Sequence, residues 1–167
     1  MFLFGDAATA TLLSPNPCAD TPLEITAPIS LASPDPDVSI HLPCVGSGAF
    51  LTMDGIAVAR AAYKGMAHAV RSALNEANLP VESVAALIPH PGSARILKNV
   101  AEALDIEPAK VLTTLSETGN TSSSSIPLAI DLYWDELPRN APLAMTAFGA
   151  GFTSAAAIAT LLGDPHA

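Results

Sequence analysis

The sequence predicts an α/β layered domain, and three observations carry that expectation. Short apolar runs such as 84–88 and 143–148 alternate with longer stretches whose apolar residues recur every three or four positions. Gly, Pro and Asn sit between these segments as punctuation. Half of the 167 residues are hydrophobic and only 14% are charged, with a mean hydropathy of +0.40. Such a chain must bury its excess apolar surface in a large core or against a partner, and the Ala-rich and Gly-rich segments suit tight packing between layers.

The elements follow in order. Met1 to Phe4 is a short apolar piece closed by Gly5-Asp6, and Ala7 to Leu13 alternates small, apolar and threonine residues as a buried strand does. A strand at full strength so early implies a preceding segment in the complete fold. Ser14 to Ser47 holds seven of the 15 prolines and reads as a long surface connection, with short strands near Leu23 to Thr26 and Val38 to Leu42. Gly48 to Asp54 leads into a helix over Ile56 to Asn78, where Val58, Ala62, Met66, Ala69, Val70, Ala73 and Leu74 make one apolar face. Arg60, Lys64 and Arg71 fall on another face, and Leu79-Pro80 ends the helix.

Val84 to Ile88 reads as a strand buried on both faces, His90 follows its end, and Ser93 to Leu104 forms the next helix. Ligands of open α/β sheets bind at the carboxyl ends of strands, which makes His90 a candidate site residue. Lys110 to Leu115 is expected as a strand, Ser124 to Leu137 as a helix, and Leu143 to Phe148 and Phe152 to Leu162 as strands joined through Gly149-Ala150-Gly151. Before the third helix lies Thr118 to Leu128, where Gly119 and Asn120 precede the five hydroxyl residues Thr121 to Ser125. Small polar residues there cap free helix amides, and the Asn120 amide can donate to a developing oxyanion.

Several functions are excluded or disfavoured. A net charge of -9 argues against general nucleic-acid binding. No run of about 18 uncharged apolar residues suggests a membrane span, and the first residues lack the pattern of a signal peptide. Cys18 and Cys44 lie in Pro-containing loops and read as reduced thiols of a cytoplasmic protein. Cys44 has no clear helix start behind it to lower its pKa. There is no metal-spaced Cys/His cluster, phosphate loop or dinucleotide fingerprint, so no metal or cofactor is expected.

Five segments in order resemble the C-terminal half of β-ketoacyl-acyl-carrier-protein synthase III, of the thiolase-like superfamily. They are Leu3-Phe4-Gly5-Asp6, Met53-Asp54-Gly55, Ile88-Pro89-His90-Pro91-Gly92-Ser93-Ala94-Arg95-Ile96, Gly119-Asn120-Thr121-Ser122 with Ser125-Ile126-Pro127-Leu128-Ala129, and Phe148-Gly149-Ala150-Gly151-Phe152-Thr153. The resemblance implies a thiolase-like αβα half-domain with a mixed sheet: residues 1–13 of the N-terminal-half type, 14–47 a Pro-rich connection, and 48–167 the synthase C-terminal domain. It implies lipid metabolism by decarboxylative condensation, in which a cysteine takes an acyl group from acyl-CoA and a malonyl-acyl carrier protein attacks it. His90 and Asn120 would donate to the malonyl thioester oxygen, and the backbone amide near Gly151 would stabilise the acyl-enzyme oxyanion. Arg60, Lys64, Arg95 and Lys98 would form a docking patch for acyl carrier protein or CoA.

The departures are specific. The family's histidine segment continues Gln-Ala-Asn where this chain has Pro91-Gly92-Ser93, and its Trp-Gly after the glycine loop is Ser154-Ala155 here. These favour a divergent or secondary-metabolism homologue. Neither Cys18 nor Cys44 matches the family nucleophile, which lies in an N-terminal half. Three functions follow: an acyltransferase completed by a Cys-bearing half, a non-catalytic partner that binds carrier protein or a related synthase, and, ranked last, a thioester hydrolase or decarboxylase without a cysteine. In the thiolase fold two halves bury their inner faces on each other, so the lone chain is expected to self-associate.

Overall fold

A computed structural model describes residues 4–15, 23–34, 38, 40–41, 43–44 and 46–163. The expected layering is present. A mixed four-stranded sheet is built from β1 (Leu23–Ala32), β4 (Ala86–Pro89), β5 (Pro142–Gly149) and β6 (Thr153–Leu161), in the order β1-β6-β5-β4. β4 and β5 are parallel, and the other pairings are antiparallel. Two short strands, β2 (Ile40–His41) and β3 (Thr52–Met53), pair separately.

Alternation along the strands sends side chains to two cores. Leu87, Ala144, Ala156 and Ile158 face α1 (Gly55–Glu76) and α2 (Ala94–Leu104), while Ala86, Ile88, Leu143, Ala159 and Leu161 face the side of α4 (Ser125–Leu132). The apolar face read from the sequence is the one α1 buries. Asp54 starts that helix by accepting from the amides of Ile56 and Ala57, both at 3.0 Å, a cap worth about 1 kcal/mol. Beyond α4 the second face is uncovered: Met145, Ala147, Ala155 and Ala157 line a shallow apolar cavity of about 420 Å³.

Four segments differ from expectation. β1 runs for ten residues and joins the main sheet, although its stretch was expected as connection with a short strand. Pro28 disguises it in the sequence; an edge strand tolerates proline, and a bulge with Ala27 at φ 48° absorbs it. Residues 7–13 are exposed and pair with no strand among the described residues, rather than forming a buried strand; the Ala7 carbonyl accepts from the Ser124 hydroxyl at 3.4 Å, and the neighbouring contact is a bridge from Phe4 to Asn120. The strand expected over Lys110 to Leu115 shrinks to one parallel bridge, Leu87 to Val111, between a 3-10 turn over Pro108–Lys110 and a short α3 (Leu115–Thr118). The helix expected to Leu137 ends at Leu132 and continues as turns. Cys18 lies outside the described residues.

One close approach gives a stability prediction. Gly65 brings α1 against β6, and a Cβ added there would stand 2.1 Å from Ser154 Oγ and 3.2 Å from its Cβ. Helix propensity alone would make Gly65→Ala stabilising by about 1 kcal/mol, but overpacking costs typically about 1–3 kcal/mol. Gly65→Ala should therefore lower the urea midpoint, and adding Ser154→Ala should recover part of the loss. A raised midpoint for the single variant contradicts the packing.

Candidate functional site

The site forms where β4, β5 and the start of α4 converge. β4 ends at Pro89, and the His90 amide continues the parallel ladder by donating to the Thr146 carbonyl of β5 at 2.7 Å. Anchored there, the half-buried ring meets Phe148 edge-on, with centroids 5.4 Å apart. Two residues of the Pro91-Gly92-Ser93 departure fit their surroundings closely. A Cβ at Gly92 would come within 2.8 Å of the Phe148 ring, and Ser93 caps α2 by accepting from the Ile96 amide at 3.3 Å.

Asn120 is buried, at 9% exposure, in the turn after Gly119, whose φ of 69° and ψ of -159° suit glycine alone. Its Oδ1 accepts from the Ser122 amide at 2.9 Å, an Asx turn that fixes the side chain and leaves Nδ2 as the free donor end. Its carbonyl accepts from the Gly5 amide at 2.9 Å. Gly5 is pressed so closely on this loop that an added Cβ would fall 1.8 Å from the Thr118 carbonyl oxygen. The Leu3-to-Asp6 segment thus meets the asparagine loop directly through its described residues.

His90 and Asn120 are joined by a relay. Asn120 holds the Ser122 amide, the Ser122 carbonyl accepts the Ser125 hydroxyl at 2.7 Å, and Ser125 Oγ lies 3.0 Å from His90 Nδ1. Ser122 sits at φ 54°, a left-handed conformation that costs a non-glycine residue on the order of 1–3 kcal/mol when strained and recurs at functional sites. A hydroxyl has one hydrogen. While Ser125 gives it to Ser122, Nδ1 must be the donor and the neutral ring's Nε2 an acceptor; when Ser125 turns it to Nδ1, Nε2 carries the proton and donates. Ser125 and Phe148 stand inside the asparagine and glycine-loop segments of the sequence but are not among its candidate site residues, Ser125 being one of a run of similar hydroxyls.

His90, Ser122, Ser123, Ser125, Ile126, Ala147 and Phe148 line a cavity of about 260 Å³. Burial lowers the His90 pKa from its ordinary 6.5, partly opposed by the Ser122 carbonyl. The unfolded chain therefore takes up this proton at higher pH than the folded one. The stabilisation is full above the unfolded pKa and lost as pH falls through the folded value. Between about pH 7.5 and about pH 5 the wild type should lose more urea stability than His90→Gln; equal losses would remove burial of the neutral ring from the account.

The remaining candidates are dispersed. Gly151, at φ 119°, is exposed in the β5–β6 turn, between Phe148 and Phe152, which stack at 5.9 Å. Arg95 is exposed in the first turn of α2, just beyond His90. Arg60 is exposed on α1. Lys64 lines a cavity with β1 residues, whereas Lys98 pairs with Glu102 at 3.6 Å beside Asp105 and Val111, past the β4 edge. The sheet order places these two lysines on opposite flanks. Cys44 is exposed and does not line the His90 cavity. Among the described residues no group of three potential metal ligands forms, and no helix is long and apolar enough to cross a membrane.

Residues 74–161 match the family model described as 3-oxoacyl-[acyl-carrier-protein (ACP)] synthase III C terminal. A β-ketoacyl-[acyl-carrier-protein] synthase III of Streptomyces lividans is 37% identical over 98% of this chain and 50% of its own length. One from Trichormus variabilis is 40% identical over 65% of this chain and 33% of its own. The crystal structure of 3-oxoacyl-(acyl carrier protein) synthase III, FabH, from Pseudomonas aeruginosa PAO1 superposes with a TM-score of 0.77 at 28% identity, covering 83% of this chain and 44% of that one. The chain spans about half the length of relatives that it matches along most of its own.

Proposed function

The chain belongs to the 3-oxoacyl-[acyl-carrier-protein] synthase III family, and from that premise we propose that it supplies the enolate-stabilising half of an acyltransferase, completed by a half that carries the cysteine nucleophile. The relay from Asn120 through Ser122 and Ser125 to His90 carries this reading. It fixes the Asn120 amide with Nδ2 free and lets one hydroxyl rotation make His90 Nε2 a donor. Neutral donors fixed in place stabilise developing negative charge without reorganising.

The reaction class is decarboxylative condensation, with acyl-CoA and malonyl-acyl carrier protein as substrates and no cofactor. Cleavage of the malonyl C–CO₂ bond sends its electron pair into the thioester carbonyl, whose oxygen becomes the enolate that Asn120 Nδ2 and His90 Nε2 receive. The carbanion then attacks the acyl-cysteine thioester, a C–C bond forms, and thiolate leaves. The Gly151 amide would hold the oxyanion of that acyl-enzyme. Arg95 and Arg60 would guide an acidic carrier protein by charge, a steering contribution that weakens with salt.

Two observations support completion by another half. Thr121 Oγ1, next to Asn120, is buried without a hydrogen-bond partner among the described residues, a deficit worth about 1–3 kcal/mol. The apolar face lined by Met145, Ala147, Ala155 and Ala157 is open beside the site. Left alone, that face should drive self-association.

The test is to mix the full chain with a Cys-bearing N-terminal half of a relative and measure transfer from acyl-CoA. The reading expects turnover in the mixture and none in either part. Carrier-protein binding that weakens on Arg95→Glu and at high salt, with no turnover in the mixture, would instead establish a non-catalytic partner. The exposed setting of Cys44, away from the His90 cavity, is the observation favouring that second reading.

A further inference from the structure

We propose that a second cavity, between α1, β1 and β6, is a binding site for a small organic carboxylate. It encloses about 310 Å³ and is walled by Leu31 and Ser33 of the β1 end, Lys64 and His68 of α1, and Phe152 and Ser154 of the β6 end, with Ala61 and Gly65 completing the helix side. The site is separate from the His90 cavity and stands independently of the proposed condensation chemistry.

The chemistry of the wall selects the ligand. Lys64 and His68 lie one helical turn apart and are exposed. Ser154 is 96% buried by contrast, at 4% exposure, and Gly65 without a side chain lets its Oγ lie against the helix. None of the side-chain polar atoms of Ser33, Lys64, His68 and Ser154 has a hydrogen-bond partner among the described residues. All four side chains can donate a hydrogen bond. Among the described residues no Asp or Glu lines the cavity, in a chain with 16 acidic residues against 7 Lys and Arg. Among the described residues an anion there meets a lysine and hydroxyl donors and no carboxylate.

Leu31, Ala61 and Phe152 form the rest of the wall, which offers nothing to a compact hydrated ion such as phosphate. It suits a short hydrocarbon attached to the charged group. Burial of each CH₂ favours binding by about 0.8 kcal/mol, so a short chain adds affinity that a bare anion lacks. The volume is at the small end of ligand cavities, which limits the tail to a few carbons.

Amide shifts of the isotopically labelled full chain, titrated with hexanoate, test the proposal; hexanamide and inorganic phosphate serve as neutral and compact-ion controls. Hexanoate should give saturable shifts centred on Lys64, Gly65 and Ser154, and each control should bind at least about tenfold more weakly, a difference of 1.4 kcal/mol. Lys64→Glu, at an exposed position, should weaken hexanoate by a similar factor, and Ala61→Phe should abolish the shifts by filling the cavity, with the dispersion of the remaining amides reporting that each variant is folded. Equal binding of hexanamide or phosphate, hexanoate shifts centred on His90 and Ser122, or folded variants that bind like wild type would overturn it.

Discussion

His90→Ala should lower condensation by the reconstituted enzyme about 10²–10³-fold, the usual consequence of removing one preorganised oxyanion donor, or about 3–4 kcal/mol of barrier. The ring stands at the carboxyl end of β4, held by its own amide on Thr146, by the Phe148 edge and by Ser125. Its removal deletes the donor and one lining side chain without touching the backbone ladder, so the variant should remain folded. The loss should fall on kcat more than on KM, because the interaction strengthens only as enolate charge builds. His90→Ala activity equal to wild type, measured as product formed from acyl-CoA and malonyl-acyl carrier protein, would assign the ring a packing role.

Asn120 allows the structural and catalytic roles of one side chain to be separated. Its Oδ1 supports the turn through the Ser122 amide, and its Nδ2 is the proposed donor. Asn120→Ser keeps a short acceptor for that amide and removes the NH₂, whereas Asn120→Ala removes both. Both variants should lose about 10²–10³ in rate. Only the Ala variant should also lose the turn's hydrogen bond, worth about 1 kcal/mol in urea unfolding. A Ser variant with wild-type turnover would show that Asn120 acts through its turn alone, and equal stability of the two variants would remove the turn from its role.

The layered fold was legible because burial imposes period. Apolar spacing gave α1 to within two residues at each end, and the continuous run before His90 gave β4. What failed to show was set by contacts distant in sequence. β1 is a strand because β6 pairs with it across more than a hundred residues, and Pro28 at its bulge hid this. Lys110 to Leu115 has strand composition, yet helical turns take both its ends, Lys110 and Leu115, and its pairing with β4 is one bridge. The alternation of residues 7–13 signals a buried strand, but no described element of this chain pairs with it.

The site was legible as motifs and illegible as geometry. His90 and Asn120 stand out by residue type and by their places after a strand and after a glycine. The link between them is invisible in sequence, since Ser122 and Ser125 are two serines among four, distinguished by a left-handed backbone and by the face of α4. Lys64 and Lys98 resemble one another as helix-surface cations, yet the strand order sends them to opposite flanks.

The central claim is that His90 and Asn120 serve one oxygen, and a double-mutant cycle on carbon dioxide release from malonyl-acyl carrier protein by the reconstituted enzyme tests it most directly. Two donors to one oxyanion act as a unit, so His90→Ala and Asn120→Ala together should slow release by well under the product of the two single effects, with a coupling of about 0.5–3 kcal/mol. Strictly multiplicative losses, or a double variant that releases carbon dioxide at the wild-type rate, would contradict the account.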